Sequence, residues 1–203
     1  MSHSVSASRH ALRLLPATLA AIGILSCGVA LADSTPQTLP FSQDWSNASL
    51  ITANDDWSGV PGIVGYRGDA LTGSTGTDPQ TLLTLDAVID VNANQSAPDT
   101  FTTGGVTEFA IANPTIALTG SGTADAPSIV IHLNTTGQQA IQVSYLLRDI
   151  DASGDDAVQQ VALQYRVGNS GNFINLPAAY VADASEGGTA SKVTPDEATS
   201  PGV

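Results

Sequence analysis

Apolar and polar residues alternate along much of this chain, and a period of two predicts strands with one buried face. In 84–91, Leu85, Ala87, Ile89 and Val91 share a face. Ile116 and Leu118 do so in 115–119, and Ile129, Ile131 and Leu133 in 128–134. Residues 140–149 set Ile141, Val143, Tyr145 and Leu147 inward, and 158–167 set Val161, Leu163, Tyr165 and Val167 inward against Gln160, Gln164 and Arg166. Helical periodicity is nearly absent. Turn residues separate the runs at Gly120-Ser121-Gly122, Asn134-Thr135-Thr136-Gly137, Ser153-Gly154 and Gly168-Asn169-Ser170-Gly171-Asn172. Short strands divided by Gly/Asn/Asp turns predict an all-β, antiparallel β-sandwich. The eight residues 150–157 are too few for a parallel crossover, so the strands 140–149 and 158–167 are expected to pair antiparallel. Residues 54–80, rich in Gly, Asp and Thr, are expected to form a long loop over one end of the sandwich.

Two stretches stand outside this pattern. Residues 1–13 are polar and basic, 14–32 are apolar, and Ala30-Leu31-Ala32 forms a small-x-small ending before Asp33, the three-part layout of a secretory signal peptide. A retained signal anchor competes, because about 18 apolar residues can span a bilayer; Pro16 and the Ala-x-Ala ending argue for cleavage. Ile24-Leu25-Ser26-Cys27 departs from a lipidation motif. At the other end, residues 185–203 have two prolines and no apolar alternation, and they read as a polar, disordered tail. The domain plan is a signal peptide over 1–32, a β-sandwich module over 33–184 and the tail over 185–203. Export places the module outside the cell or in a periplasm.

Export changes the composition that matters. The single cysteine, Cys27, leaves with the leader, so the domain has no disulfide and depends on its core, hydrogen bonds or bound ions. All nineteen acids lie beyond residue 32, against Arg67, Arg148, Arg166 and Lys192, which sets the mature formal charge at −15. Such a field repels phosphate backbones, so no nucleic-acid binding is expected of this segment alone.

Three motifs carry chemistry. Asp149-Ile150-Asp151-Ala152-Ser153-Gly154-Asp155 matches the first half of a calcium loop, with oxygen ligands at Asp149, Asp151, Ser153 and Asp155 and a glycine for the sharp turn. Its twelfth position is Gln160 instead of a bidentate Glu, and strands flank it, so it is no EF-hand. An acidic turn without an ion is the competing reading. The doublet Asp44-Trp45-Ser46 and Asp56-Trp57-Ser58 supplies both tryptophans. Trp45 and Trp57 could stack on sugar rings or close the end of the core, and a chain with only ten aromatics has few to spare. Catalytic sets are missing: His132 is the one histidine beyond the leader, no cysteine nucleophile remains, and no acid pair is singled out, although Asp55 or Asp56 with another acid is the form a glycosidase would take.

Residues 41–69, FSQDWSNASLITANDDWSGVPGIVGYRGD, and residues 120–168 resemble an N-terminal β-sandwich module of secreted bacterial multidomain proteins, similar to galactose-binding jelly rolls. The resemblance covers roughly 38–184. In that group the module follows the signal peptide and precedes other domains, including extracellular nucleases of the endonuclease/exonuclease/phosphatase class, or a surface-sorting signal. Such modules continue through further strands where this chain, after Tyr180-Val181-Ala182-Asp183-Ala184-Ser185, carries only the polar tail. The expectation is therefore a non-catalytic accessory module that binds calcium or a surface polymer, with a polysaccharide or a cell surface as partner. The alternative is a C-terminally truncated part of a secreted nuclease or phosphoesterase, inactive alone. A sandwich short of closing strands would also expose edges able to pair with another chain. The exported protein is expected to begin at Asp33; intact mass after secretion from a bacterial host checks this, and a product retaining residues 1–32 would refute cleavage.

Overall fold

The structure, a computed structural model, describes residues 31–74, 76–150 and 158–184. Within them the protein is all-β, with four single-turn 3-10 helices and no α-helix. The strands are β1 (Leu31–Ala32), β2 (Gln37–Thr38), β3 (Asp56–Trp57), β4 (Ile63–Tyr66), β5 (Asn92–Gln95) and β6 (Gly105–Phe109). They continue with β7 (Thr115–Thr119), β8 (Ser128–Ile131), β9 (Leu133–Asn134), β10 (Gln164–Tyr165) and β11 (Ile174–Asn175). No helix of the described residues is long and apolar enough to cross a membrane.

The largest sheet runs β5-β6-β7, with β5 parallel and β7 antiparallel to the central β6. A second antiparallel pair joins β4 to β8, from Ile63 opposite Ile131 to Tyr66 opposite Ser128. The remaining sheets are two-stranded: β1 with β3 and β2 with β9, both parallel, and β10 with β11, antiparallel. Residues Leu31 and Ala32 of β1 stand on the leader side of the expected cleavage point, so cleavage would remove this pairing and leave the other sheets intact.

The core gathers Ile51, Trp57, Val60, Ile63, Val64, Val91, Ala93 and Val106, with Phe41, Trp45, Tyr66, Ile116 and Ile129 packed against it. Trp57 has no exposed surface. Burying a side chain that covers roughly 200 Å² contributes on the order of 5 kcal/mol, an upper estimate from area alone. Its indole Nε1 donates to the Asp90 carbonyl oxygen at 2.9 Å, which meets the polar requirement of a buried ring. The ring lies against Gly65: a Cβ there would come within 2.5 Å of the indole and 2.7 Å of the Asp90 carbonyl.

Several strand expectations need correction. Residues 54–80 are not one loop, because they contain β3 and the four-residue β4, whose first three residues are buried. Ile63-Val64-Gly65-Tyr66 has no alternation because both of its faces are covered, the pattern of an interior strand. Residues 84–91 form no ladder strand; only Ile89 bridges, to Tyr66, and both faces carry burial, with Asp86 and Asp90 buried and Val88 exposed. Residues 140–149 keep the expected inward set, with Ile141, Val143, Tyr145 and Leu147 half-buried and Gln142, Ser144 and Leu146 exposed, yet they belong to no strand among the described residues. Within the run 158–167, β10 pairs antiparallel with β11.

The face also inverts within 158–167. Val161 and Leu163 are half-buried as expected, whereas Tyr165 and Val167 are exposed. Gln164 turns inward instead, its Nε2 donating to the carbonyls of Pro79 and Leu82 and to Asn175 Oδ1. A carboxamide with three acceptors within reach outweighs the burial of one aromatic edge.

Gly65→Ala is expected to lower stability by about 2 kcal/mol or more through overpacking, a fall in Tm of roughly 4–8 °C. Gly120→Ala, where nothing lies within 4 Å of the added carbon, is the control. Equal melting of the two variants would show that the Trp57 contact does not constrain the core.

Candidate functional site

Five chain segments meet at an open polar cleft of about 220 Å³. Asn54 and Asp55 come from the turn before β3, Arg67 follows β4, and Asp90 and Asn92 flank the start of β5. Thr103 and Gly104 precede β6, and Thr123 belongs to the turn after β7.

The cleft is built around Asp90. Its carboxylate Oδ2 accepts from the Val106 N–H at 2.7 Å, and its Oδ1 accepts from Arg67 Nε at 3.2 Å. Its backbone N–H donates to Gly65 O at 3.1 Å, while its carbonyl takes the Trp57 indole. A buried carboxylate is tolerated only when paired and hydrogen-bonded, and this one is both. Glycine at 105 is what lets it approach: the residue has φ +113, and a Cβ would fall against Asp90 Oδ2. Gly104 has the matching role toward Ser121, whose side chain occupies the space its Cβ would need. The Gly104-Gly105 pair thus brings the β7 turn and the Asp90 carboxylate onto one wall.

The opposite wall is clasped by side chains acting as backbone. Asp55, at φ +60, donates its N–H to Val91 O at 2.9 Å and accepts from the Val91 N–H through Oδ1 at 3.3 Å. Asn54 Oδ1 accepts from the Ala93 N–H at 2.9 Å. Asn92 Nδ2 reaches across to Val106 O at 3.2 Å and Thr107 Oγ1 at 3.3 Å. Short Asp and Asn side chains suit this wall because each carries polar atoms close to the main chain that can bond a neighbouring backbone, and Asp55 also tolerates the left-handed conformation.

Beneath the sheet lies a second buried acid. Glu108, 4 % exposed, accepts from the Asn94 N–H through Oε2 at 3.0 Å. Burial pushes its pKa above the usual glutamate range, and the Asn94 bond only partly opposes this. Asp86 is buried too, and its Oδ2 accepts from the N–H groups of Gly68 and Asp69.

Of the residues singled out in the sequence, Asp55 lines the cleft. Of Asp149, Asp151, Ser153 and Asp155, only Asp149 lies within the described residues. Among those residues no group of three or more His, Cys, Asp or Glu is set to hold a metal. Trp45 and Trp57 meet edge to face, with ring centroids 6.4 Å apart and planes at 76°. In each Asp-Trp-Ser triplet the Asp Oδ1 accepts from both the N–H and the hydroxyl of the Ser two residues on. The doublet is thus a repeated turn that aims two indoles at each other. Trp57 offers no face to a ligand, since it is wholly enclosed, and Trp45 is half-buried against it.

His132 links β8 to β9, its N–H donating to Gly62 O and its carbonyl accepting from the Gln37 N–H. Burial, with Arg166 nearby, holds its imidazole below the usual histidine range, and its buried Nε2 has no hydrogen-bond partner. Two local features of the cleft were legible: Asn54-Asp55 shortly before a tryptophan and Gly104-Gly105 before an apolar strand are each unusual, but only the fold brings them together.

No family model, no curated protein and no solved structure matches the chain.

Glu108→Gln tests the buried acid by its pH dependence. Below the ordinary carboxylate range Glu108 holds its proton both folded and unfolded, so its ionisation does not affect stability there. As pH rises through that range the unfolded chain releases the proton first, and stability falls until the raised folded pKa is passed. The Gln variant, neutral throughout, is expected to melt at a higher temperature than the parent at pH 7, with the gap closing near pH 3.5. Parallel melting curves from pH 3.5 to 8 would show that Glu108 is not held above its usual range.

Proposed function

We propose that this protein is an exported, non-catalytic accessory module of the β-sandwich, jelly-roll-like kind that holds a hydroxyl-rich surface polymer, a polysaccharide, in the cleft around Asn54, Asp55, Asn92, Thr103 and Thr123. One observation carries the proposal: the cleft wall combines carboxylate, carboxamide, guanidinium and hydroxyl groups on a rigid hydrogen-bonded frame. A sugar hydroxyl both donates and accepts. Planar side chains with two polar atoms, such as Asp, Asn and Arg, can satisfy neighbouring hydroxyls together. Preformed walls keep the ordering cost of binding low.

The non-catalytic reading rests on how the two cleft acids are used. Glycoside hydrolysis by the usual route needs two carboxyl groups that can act on one bond. Asp90 has both oxygens engaged by Arg67 and the Val106 N–H, inside a wall it holds together. That leaves Asp55 without a working partner. No histidine, cysteine or serine lines the cleft to serve as base or nucleophile.

Affinity electrophoresis through gels containing a panel of soluble polysaccharides tests the proposal. Retardation by at least one neutral or amino-sugar polymer is expected. Thr123→Trp, a substitution at an exposed position on the cleft rim, is expected to weaken it by about tenfold or more, about 1.4 kcal/mol, with little change in melting. Unretarded migration of folded protein across the whole panel would refute it.

A further inference from the structure

We infer that the cleft selects a protonated amine carried on a hydroxylated ring, an amino-sugar unit, with Asp55 as its charge partner. The inference rests on the polysaccharide-binding reading above and narrows it to one ligand class.

The first argument is the charge left over in the cleft. Arg67 and Asp90 form an ion pair at 3.2 Å, and the second Asp90 oxygen is taken by the Val106 N–H. These two groups neutralise each other inside the wall. Asp55 then carries the remaining formal charge. Among the described residues its one side-chain hydrogen bond is the long one from the Val91 N–H at 3.3 Å, on Oδ1. Among the described residues no cationic side chain pairs with it: Arg148 donates to Asn113 O, and Arg166 lies over the Phe173 ring. A half-buried carboxylate with one loosely held oxygen binds an ammonium better than a neutral hydroxyl, because a charge-assisted hydrogen bond is roughly twice as strong as a neutral one.

The second argument is the surrounding field. The chain's formal charge of −13 draws cations to the surface and repels uronate or sulfated sugars. The third is size. At about 220 Å³ the cleft is smaller than the roughly 300–1,000 Å³ of pockets that enclose drug-sized ligands. A single ring fits, and Asn54, Thr103 and Thr123 stand on the wall to meet its hydroxyls.

Calorimetric titration of the full chain at pH 6 with a glucosamine trimer, an N-acetylglucosamine trimer and a galacturonate trimer tests the inference. The amine trimer is expected to bind at least about tenfold tighter than the acetylated one, and the uronate not at all. Asp55→Asn is expected to erase that preference while the protein stays folded, since Asn also tolerates the left-handed backbone. Asp44→Asn, a charge-matched change at an exposed turn outside the cleft, is expected to retain it. Equal binding of amine and acetylated trimers, a uronate preference, or loss of selectivity in Asp44→Asn as much as in Asp55→Asn would overturn the inference and leave polysaccharide binding standing. Binding of none of the three overturns the inference as well, and the gel panel then decides separately whether any polymer is held.

Discussion

A single buried residue, Asp90, ties four parts of the described fold together through its carboxylate and its backbone. Asp90 connects β3 through the Trp57 indole, β4 through Gly65 O, the residue after β4 through Arg67, and β6 through the Val106 N–H. A lone ionised carboxylate in an apolar interior is destabilising by several kcal/mol, so the two donors to its oxygens, Arg67 Nε and the Val106 N–H, are obligatory once the acid is inside. The demand propagates along the chain. Gly65 must lack a side chain for the indole to lie flat, and Gly105 must lack one for the carboxylate to reach the β6 backbone. Two glycines, a tryptophan and an arginine are thus fixed by one acid.

That economy matters because the apolar core is small. Eight residues form its buried cluster, and the single cysteine of the chain lies among residues 1–32. Hydrogen bonds from short polar side chains to backbone take over part of the work that longer ladders do elsewhere. Asn54 and Asp55 bind the edge at Val91 and Ala93, Asn94 reaches Ile51 O, and Asn175 reaches Gln80 O. Each is worth only about 1 kcal/mol net, but leaving its backbone partner unsatisfied would cost more. The cleft is a by-product of this construction. Where loops are tied by side chains instead of strands, the walls stay polar and the space between them stays open.

The same construction decides what could be read from the sequence. Strands β7 and β8 were legible because their apolar residues alternate, yet of the residues expected to share a buried face only Ile116 and Ile129 are half-buried, while Leu118 and Ile131 toward the strand ends are exposed. Strand β4 was hidden by the opposite circumstance: covered on both faces, it shows four residues without period, set among Gly and Asp. Residues 140–149 reveal the limit of periodicity, since their burial alternates as expected while they form no strand among the described residues. Alternation reports which way side chains point, not which backbone they bond. Gln164 is harder still, because its inward turn depends on carbonyls more than eighty residues earlier. Buried acids such as Asp86, Asp90 and Glu108 escape for the same reason: alone in sequence, each looks like a solvated residue. The Asp-Trp-Ser doublet was visible as a repeat, yet only the turn geometry shows that its serines cap the aspartates and its indoles meet.

Acids in this chain therefore fall into two groups with opposite responses to pH. Asp56 is held below the usual range chiefly by the Ser58 hydroxyl, Asp44 chiefly by the Ser46 N–H, and Asp33 chiefly by the Thr35 side chain. Their turns favour the folded state above the ordinary aspartate range and lose that advantage as pH falls through the lowered folded values. Glu108 acts in the other sense. Asp44 is exposed and Asp33 and Asp56 are half-buried in surface turns, so their effect is screened and spread thinly, whereas Glu108 acts from inside the central sheet. Asp55 stands apart by its geometry. Its backbone is fixed by Val91, its carboxylate is only lightly engaged, and nothing in the core depends on its charge in the way the core depends on Asp90. Charge and stability are inseparable at Asp90 and separable at Asp55, which is where the proposed binding preference can change without loss of the fold.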